Sequence, residues 1–327
     1  MPSLPNFFVV GAVKAGTTAF HNLLDQHPKI YMSPTKEPNF FAQSDLKPHL
    51  YVDQYRRSVS FNLDKYLQGS MQKTVHIADV KTWKDYRSLF KNVSVEIAIG
   101  EGSNSYLFCP SSAGLIAQRF PDAKIIMILR NPADRAWSHY LMNQKLGHQV
   151  LPDFLQEIAQ DRSIQPRGWG ITANYFELGL YDEQVSRFLA VFPKTQIKIL
   201  LYEDFVREPI QTFSKVCEFL GVSAVLANFE NTHKNVGAIP RWPTVYRALQ
   251  RSGIPHSIKH RLPETIKELL HTLILKRGNL PRLRESERDV LLRLYTPSIR
   301  SLSSILGRNL DHWLTQLQID FSRKRLI

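Results

Sequence analysis

Cysteine is nearly absent from this chain. Cys109 and Cys217 are the only two in 327 residues, and they lie far apart. That excludes a disulfide scaffold, a C-x-x-C redox motif and a cysteine-based zinc site, and it fits a reducing compartment. Long hydrophobic runs are missing too: no stretch approaches the ~20 apolar residues that a membrane-spanning helix needs. The N-terminus lacks the charged, apolar and small-residue segments of a secretory signal, and the first strand pattern begins at about residue 7. These absences lead us to expect a soluble, cytoplasmic protein. The sequence also has no internal repeat, no low-complexity tract and no metal-ligand cluster.

Acidic residues are the scarcer charge, 29 against 42 Lys and Arg, for a formal charge of +13. The imbalance is local. Residues 1–232 hold 24 basic and 22 acidic residues, whereas 233–327 hold 18 and 7. A basic third of this kind can steer an anionic ligand or touch an acidic membrane surface or a polyanion. No nucleic-acid-binding module accompanies it, so nucleic acid ranks last among the partners.

What the chain does have is enough apolar content for a packed core, 43% hydrophobic and 11% aromatic. The stretch that organises it runs from Asn6 to Leu24. Phe7 to Val10 is a β-rich apolar run, Gly11 to Gly16 is a glycine-bounded turn, and a helical pattern follows with Leu23 and Leu24 on its apolar side. A strand, a glycine turn and a helix make a phosphate cradle, because backbone N–H groups of the turn and of the helix start point at one anion. Lys14 adds a positive charge, and Thr17 and Thr18 add hydroxyls.

The spacing departs from that of nucleotide triphosphatases, G-x-x-x-x-G-K-[ST]. Gly11 and Gly16 keep the glycine interval, but Thr17 takes the lysine position and the lysine lies inside the loop at Lys14. A plain glycine turn between strand and helix is the simpler alternative for this stretch taken alone.

Lys14-Ala15-Gly16-Thr17-Thr18 resembles the 5′-phosphosulfate loop of sulfotransferases that use 3′-phosphoadenosine 5′-phosphosulfate (PAPS). Leu129-Arg-Asn-Pro-Ala-Asp-Arg-Ala-Trp-Ser138 resembles the 3′-phosphate strand and helix of the same family, and Lys36-Glu-Pro-Asn-Phe-Phe41 resembles the acceptor-activating segment of its heparan-sulfate-type and bacterial members. Gly179-Leu-Tyr, Leu201 to Phe205 and Leu306 to Trp313 follow in family order, so the resemblance covers most of the chain. It implies a P-loop-like three-layer α/β/α fold with a central, mostly parallel sheet. We read one sulfotransferase domain, with a core of about 5–242 and a basic, helical C-terminal extension of about 243–327. The missing N-terminal anchor of the Golgi enzymes points to a bacterial type.

The resemblance also assigns roles. Glu37, in a loop after the short strand at 30–32, falls at the position of the general base; alone it reads as a solvated carboxylate. Lys14 would act on the leaving group, with Ala15, Gly16, Thr17 and Thr18 around the 5′-phosphate. The continuous apolar run 123–129 reads as a central parallel strand delivering Arg130 to its end, and Ser138 follows two helical turns on. A guanidinium opposite a serine suits a phosphate monoester better than the plainer alternative, in which Arg130 is a structural ion-pair former. Tyr202 resembles a tyrosine beside the adenine, or is a core residue. Asn235 and Arg241 match an N-x-x-x-x-x-R loop that folds over the nucleotide.

Two departures stand out. Cytosolic members place a histidine base after K-T, but Trp83 follows Lys81-Thr82 here, which favours the glutamate lineage. The G-E-K-[ST] motif of heparan-sulfate-type members reads Gly100-Glu-Gly-Ser103, so Gly102 replaces a lysine that helps bind the sulfuryl group, and Lys36 is the nearest substitute. Residues 42–95 read as cover over the acceptor cleft. Ile266 to Ile274 has the spacing of a packing helix, or of a membrane-surface helix. His21, His139 and His312 read as satisfied polar residues.

The activity implied is metal-free transfer of a sulfuryl group from PAPS to a hydroxyl of a carbohydrate, lipid or small molecule, leaving 3′-phosphoadenosine 5′-phosphate (PAP). The rivals are a P-loop kinase or nucleotide-binding enzyme, for which Glu101 would hold magnesium, and a non-catalytic PAPS- or anion-binding module.

Overall fold

The computed structural model describes residues 4–148, 150–225, 238–240, 275–277 and 281–315. Its centre is a five-stranded sheet: β1 (Phe7–Gly11), β2 (Ile30–Met32), β3 (Ala98–Gly102), β4 (Lys124–Leu129) and β5 (Ile197–Leu201). The strands lie in the order β2-β3-β1-β4-β5, and every pairing is parallel. All five residues of β1 and of β3 are buried, as are five of the six in β4. Strands buried on both faces need helices on both faces, which is the three-layer arrangement.

The order places a switch beside β1. The chain leaves β1 towards β2, returns through β3, then crosses to β4 on the other side. Open parallel sheets bind ligands at the carboxyl ends of the strands flanking such a switch. Here that edge carries the 12–16 turn after β1, the 33–41 loop after β2, Ser103 to Ser105 after β3 and Arg130 after β4.

Tight packing fixes these strands against one another. Gly100 of β3 lies opposite Phe7 of β1, and a Cβ at Gly100 would fall 2.1 Å from the Phe7 ring. An aromatic cluster carries the same rigidity outward: Phe41 packs edge-on to Phe8 of β1, and Phe40 stacks on Tyr86 at 4.6 Å. The two phenylalanines after Glu37 therefore anchor its loop to the sheet. Trp83 belongs to this cluster, stacked on Tyr86 with the Arg119 guanidinium 3.9 Å above it.

At the far end, a helix at Glu285–Leu306 lies on the core through Tyr295. Its ring stacks on Phe176 at 4.5 Å, and its hydroxyl donates to the Phe176 carbonyl. Trp313 is buried and donates its indole N–H to Glu203, while its carbonyl accepts from Asn131. The described part of the C-terminal segment is thus tied to the strand ends. Two short strands, β6 (Ala238–Pro240) and β7 (Leu275–Arg277), pair antiparallel apart from the main sheet. The expected helix at 264–276 lies mostly outside the described residues; of its range only the last two positions are seen, and they belong to β7.

Candidate active site

The turn after β1 feeds a helix at Thr17–Asp25. Two residues of this turn adopt left-handed backbone conformations, Lys14 at φ 66° and Gly16 at φ 85°. Glycine is required at 16 for a second reason: a Cβ there would lie 3.0 Å from the Tyr202 ring. The Arg130 guanidinium sits 4.7 Å from the centre of that same ring and donates to the Lys14 carbonyl at 3.1 Å. Lys14, Gly16, Arg130 and Tyr202 thus form one interlocked unit, although they come from three separate strand ends.

Lys14 is the electrostatic centre of the unit. Burial, then the charges of Arg130, Lys145, Arg135 and Lys36, pull its pKa down to about 8. A lysine crowded by cations in a buried place is a site waiting for an anion. Its ammonium lies 3.4 Å from the Met142 sulfur. Gly16, Thr17, Thr18, Arg130, Ser138 and Tyr202 line the same cavity as Lys14, which has a volume of about 1950 Å³. Ala15 does not; it is buried beneath the turn and its N–H is given to the Ala12 carbonyl. Asn235 and Arg241 lie outside the described residues.

Glu37 also lines this cavity. Its loop is held by backbone bonds to residues 75–80: Lys36 N–H to Val75, Ala78 N–H to Glu37 and Val80 N–H to Pro38. Asn39 locks the loop from below. Its side chain donates to the Glu37 and Ala78 carbonyls and accepts from Ser105, while its N–H bonds the Ser103 hydroxyl. The solvated carboxylate of the simpler reading is therefore replaced by a buried one, 5% exposed. Its Oε1 accepts from the Lys36 ammonium at 2.8 Å and from Asn104 Nδ2 at 2.6 Å. His76 lines the cavity nearby, its pKa lowered by burial and by Lys36. Trp83, at the histidine position of other lineages, is not in the cavity lining.

Gly102, in place of a lysine, is buried on β3. A Cβ there would sit 3.8 Å from the Lys36 carbonyl, so a longer side chain would start beside Lys36. The Lys36 ammonium, however, is spent on Glu37.

Glu101 is not a cavity residue. It is fully buried, accepts from the hydroxyls of Tyr86, Tyr106 and Ser103, and is raised to about 7 chiefly by burial. This removes the acidic strand end that the kinase alternative needs for magnesium. Among the described residues no group of three or more His, Cys, Asp or Glu could hold a metal ion. His312 is satisfied by Glu203 at 2.8 Å, but His21 and His139 are not: each leaves a buried Nδ1 unbonded among the described residues. Burial drives both to low pKa, so both are neutral rings.

Sequence reading missed Asn39 and Asn104. The only signal was a polar triplet, Ser103-Asn-Ser105, directly after a buried strand. Strand ends at a switch point are where polar residues gather when they serve a site.

The fold and this site define a parallel α/β protein in which a cationic glycine loop, without the lysine spacing of the nucleotide triphosphatases, shares one cavity with a buried carboxylate. The family model for the sulfotransferase family matches residues 5–225, and the chain belongs to that family. It is 24% identical to carbohydrate sulfotransferase 15 of Rattus norvegicus over 67% of this chain and 44% of that protein. It is 27% identical to the bifunctional heparan sulfate N-deacetylase/N-sulfotransferase 2 of Bos taurus, over 70% of this chain and 23% of that one. The chain thus spans less than half the length of these curated relatives. A sulfotransferase structure from Alicyclobacillus acidocaldarius superposes with a TM-score of 0.68 at 28% identity, covering 96% of this chain and all of the other.

Proposed function

We propose that this protein is a PAPS-dependent sulfotransferase acting on a hydroxyl. The observation that carries the reading is that one cavity is lined by both the cationic Lys14 loop and the buried carboxylate of Glu37. Its volume exceeds the ~300–1,000 Å³ of ordinary ligand pockets and leaves room for a nucleotide and an acceptor together.

Glu37 takes the proton of the acceptor hydroxyl as that oxygen bonds to sulfur. The bond from sulfur to the 5′-phosphate oxygen breaks in line, and PAP leaves with the electron pair. Lys14 and the N–H groups of the 17–25 helix start stabilise the charge that grows on the leaving oxygen. Arg130 and Ser138 hold the 3′-phosphate, and Tyr202 packs beside the adenine. Lys36 keeps the carboxylate of Glu37 compact and oriented. The moving group carries a single negative charge, so side chains can replace the metal clamp of phosphoryl transfer.

No helix among the described residues is long and apolar enough to cross a membrane. A cytoplasmic location, and peripheral contact of the basic C-terminal third with an anionic membrane or polyanion, belong to this proposal. So does the acceptor class, for which the relatives' names favour a carbohydrate over a lipid or small molecule.

Calorimetry tests the donor assignment. A bond to a charged group is worth ~1.5–3 kcal/mol, so PAP should bind at least ~10-fold more tightly than AMP. Arg130→Ala should erase most of the difference while barely changing AMP affinity. Equal affinity of the wild type for the two nucleotides would sink the donor assignment. Sulfur-labelled PAPS offered with lipid, glycan and small-molecule extracts then identifies the acceptor.

A further inference from the structure

We propose that Asn104 is a specificity-determining residue that reads a second hydrogen-bond donor on the acceptor, on the atom next to the one carrying the reacting hydroxyl. The inference rests on the reading above, in which the acceptor occupies the cavity at Glu37.

Three observations lead to it. Asn104 lines the cavity and is 9% exposed. Its Nδ2 donates to Glu37 Oε1 at 2.6 Å. A carboxylate that also faces the Lys36 ammonium accepts and does not donate, so the amide must present nitrogen to it and turn Oδ1 away. That Oδ1 is buried and has no partner among the described residues. A buried carbonyl oxygen left unmet costs free energy. Asn104 belongs to the cavity wall, so a ligand that displaces the side chain slightly can reach that oxygen and become its partner.

The bond to Glu37 accounts for the amide nitrogen of Asn104, and local structure gives no use for its oxygen. Asn104 precedes the short helix Ser105–Phe108 but does not cap it. Its backbone is held by its neighbours, since Ser103 and Ser105 both bond Asn39. Glu37, for its part, makes no bond through Oε2 among the described residues, because Lys36 and Asn104 both use Oε1. Two side chains in direct contact thus each keep one acceptor oxygen free. A ligand meets both by offering donors on adjacent atoms: the attacking hydroxyl to Glu37 Oε2, and a neighbouring O–H or N–H to Asn104 Oδ1. A vicinal diol or an amino alcohol has that pattern, and a simple alcohol does not.

The test uses catechol, phenol and 2-methoxyphenol as probes, titrated calorimetrically into the PAP-saturated full chain at neutral pH. Catechol carries two adjacent O–H groups, phenol one, and 2-methoxyphenol keeps the second oxygen but not its hydrogen. Sites built around a ligand hydroxyl discriminate strongly against analogues that lack it, so catechol should bind at least ~10-fold more tightly than either other probe. Asn104→Ala should leave PAP affinity unchanged and bring catechol to within about threefold of phenol. Comparable affinity for catechol and 2-methoxyphenol in the wild type, or no binding of any probe, overturns the inference. So does a preference for catechol that survives in the variant. Should Asn104→Ala lose PAP binding through misfolding, the wild-type comparison still decides. Failure here leaves the donor assignment standing, because that rests on PAP and AMP.

Discussion

On the Lys14 side of the cavity, Lys14, Arg130 and Tyr202 lie within three residues of the carboxyl end of a parallel strand, and Gly16 lies within five. On the carboxylate side, Glu37 sits five residues beyond β2, in a loop braced by residues 75–80 and by Asn104, which is 67 positions away. The first side is built from backbone geometry that a handful of residue types can satisfy. The second is built from side chains that must find each other across long stretches of chain. The first can therefore be kept while the second is rewritten without disturbing the sheet.

The comparison breaks most sharply at Glu37. Glu37→Gln should leave PAP affinity within a few-fold yet cut turnover at least ~100-fold, the lower end for a lost general base. Retention of most activity, measured with labelled PAPS, would move the base elsewhere in the cavity, with His76 next in line.

Lys14 sharpens the other side through pH. With its pKa at about 8 in the free protein, kcat/KM for PAPS should fall as pH rises through about 8. A lysine whose folded pKa lies below its unfolded value of about 10.4 opposes folding when charged. The penalty is full below about 8 and is relieved between about 8 and 10.4. Lys14→Met should therefore abolish the alkaline limb along with most of the activity. It should also stabilise the unliganded protein at pH 7 by on the order of 2 kcal/mol, allowing for partial exposure. A melting temperature lower than that of the wild type would contradict the electrostatic account.

Glu101 supplies the control, a second buried carboxylate with no part in the cavity. Glu101→Gln should keep turnover within about threefold, since the Gln amide oxygen can still accept from Tyr86 and Tyr106 and its amide nitrogen can donate to Ser103. Its folded pKa is raised, so wild-type stability loses ground to the variant as pH climbs from about 4.5 to about 7, and the difference is constant above. Denaturant midpoints of both proteins across that range check it. A large loss of turnover in Glu101→Gln would blur the distinction between the two carboxylates.

Legibility in the sequence followed the same division. The strands at 7–10 and 123–129 were readable because strands buried on both faces are continuous apolar runs. The Lys14 loop was readable because left-handed turns and close approaches demand glycine at set intervals. Glu37 could be singled out only through its resemblance to a family segment, since a lone glutamate before a proline has no physical signature. Asn39 and Asn104 were invisible because hydrogen-bonding loop residues follow no period and their partners are remote in the chain. His21 and His139 went astray for a related reason: a ring on a helix reads the same whether or not a partner faces it. Asn235 and Arg241 remain expectations.

Arg135 lies on the helix that carries Ser138, entirely buried, and no carboxylate pairs with it among the described residues. It gives one N–H to the Tyr175 carbonyl, and its charge reaches Lys14 strongly enough to depress that pKa. Mobile ions screen exposed charges over ~10 Å at 0.1 M salt but cannot enter a packed interior. The attraction that Arg135 exerts on an anion at Lys14 is therefore built into the dry part of the fold. Raising ionic strength should weaken the long-range approach of the nucleotide far more than its residence once bound, making association salt-sensitive and dissociation nearly salt-blind.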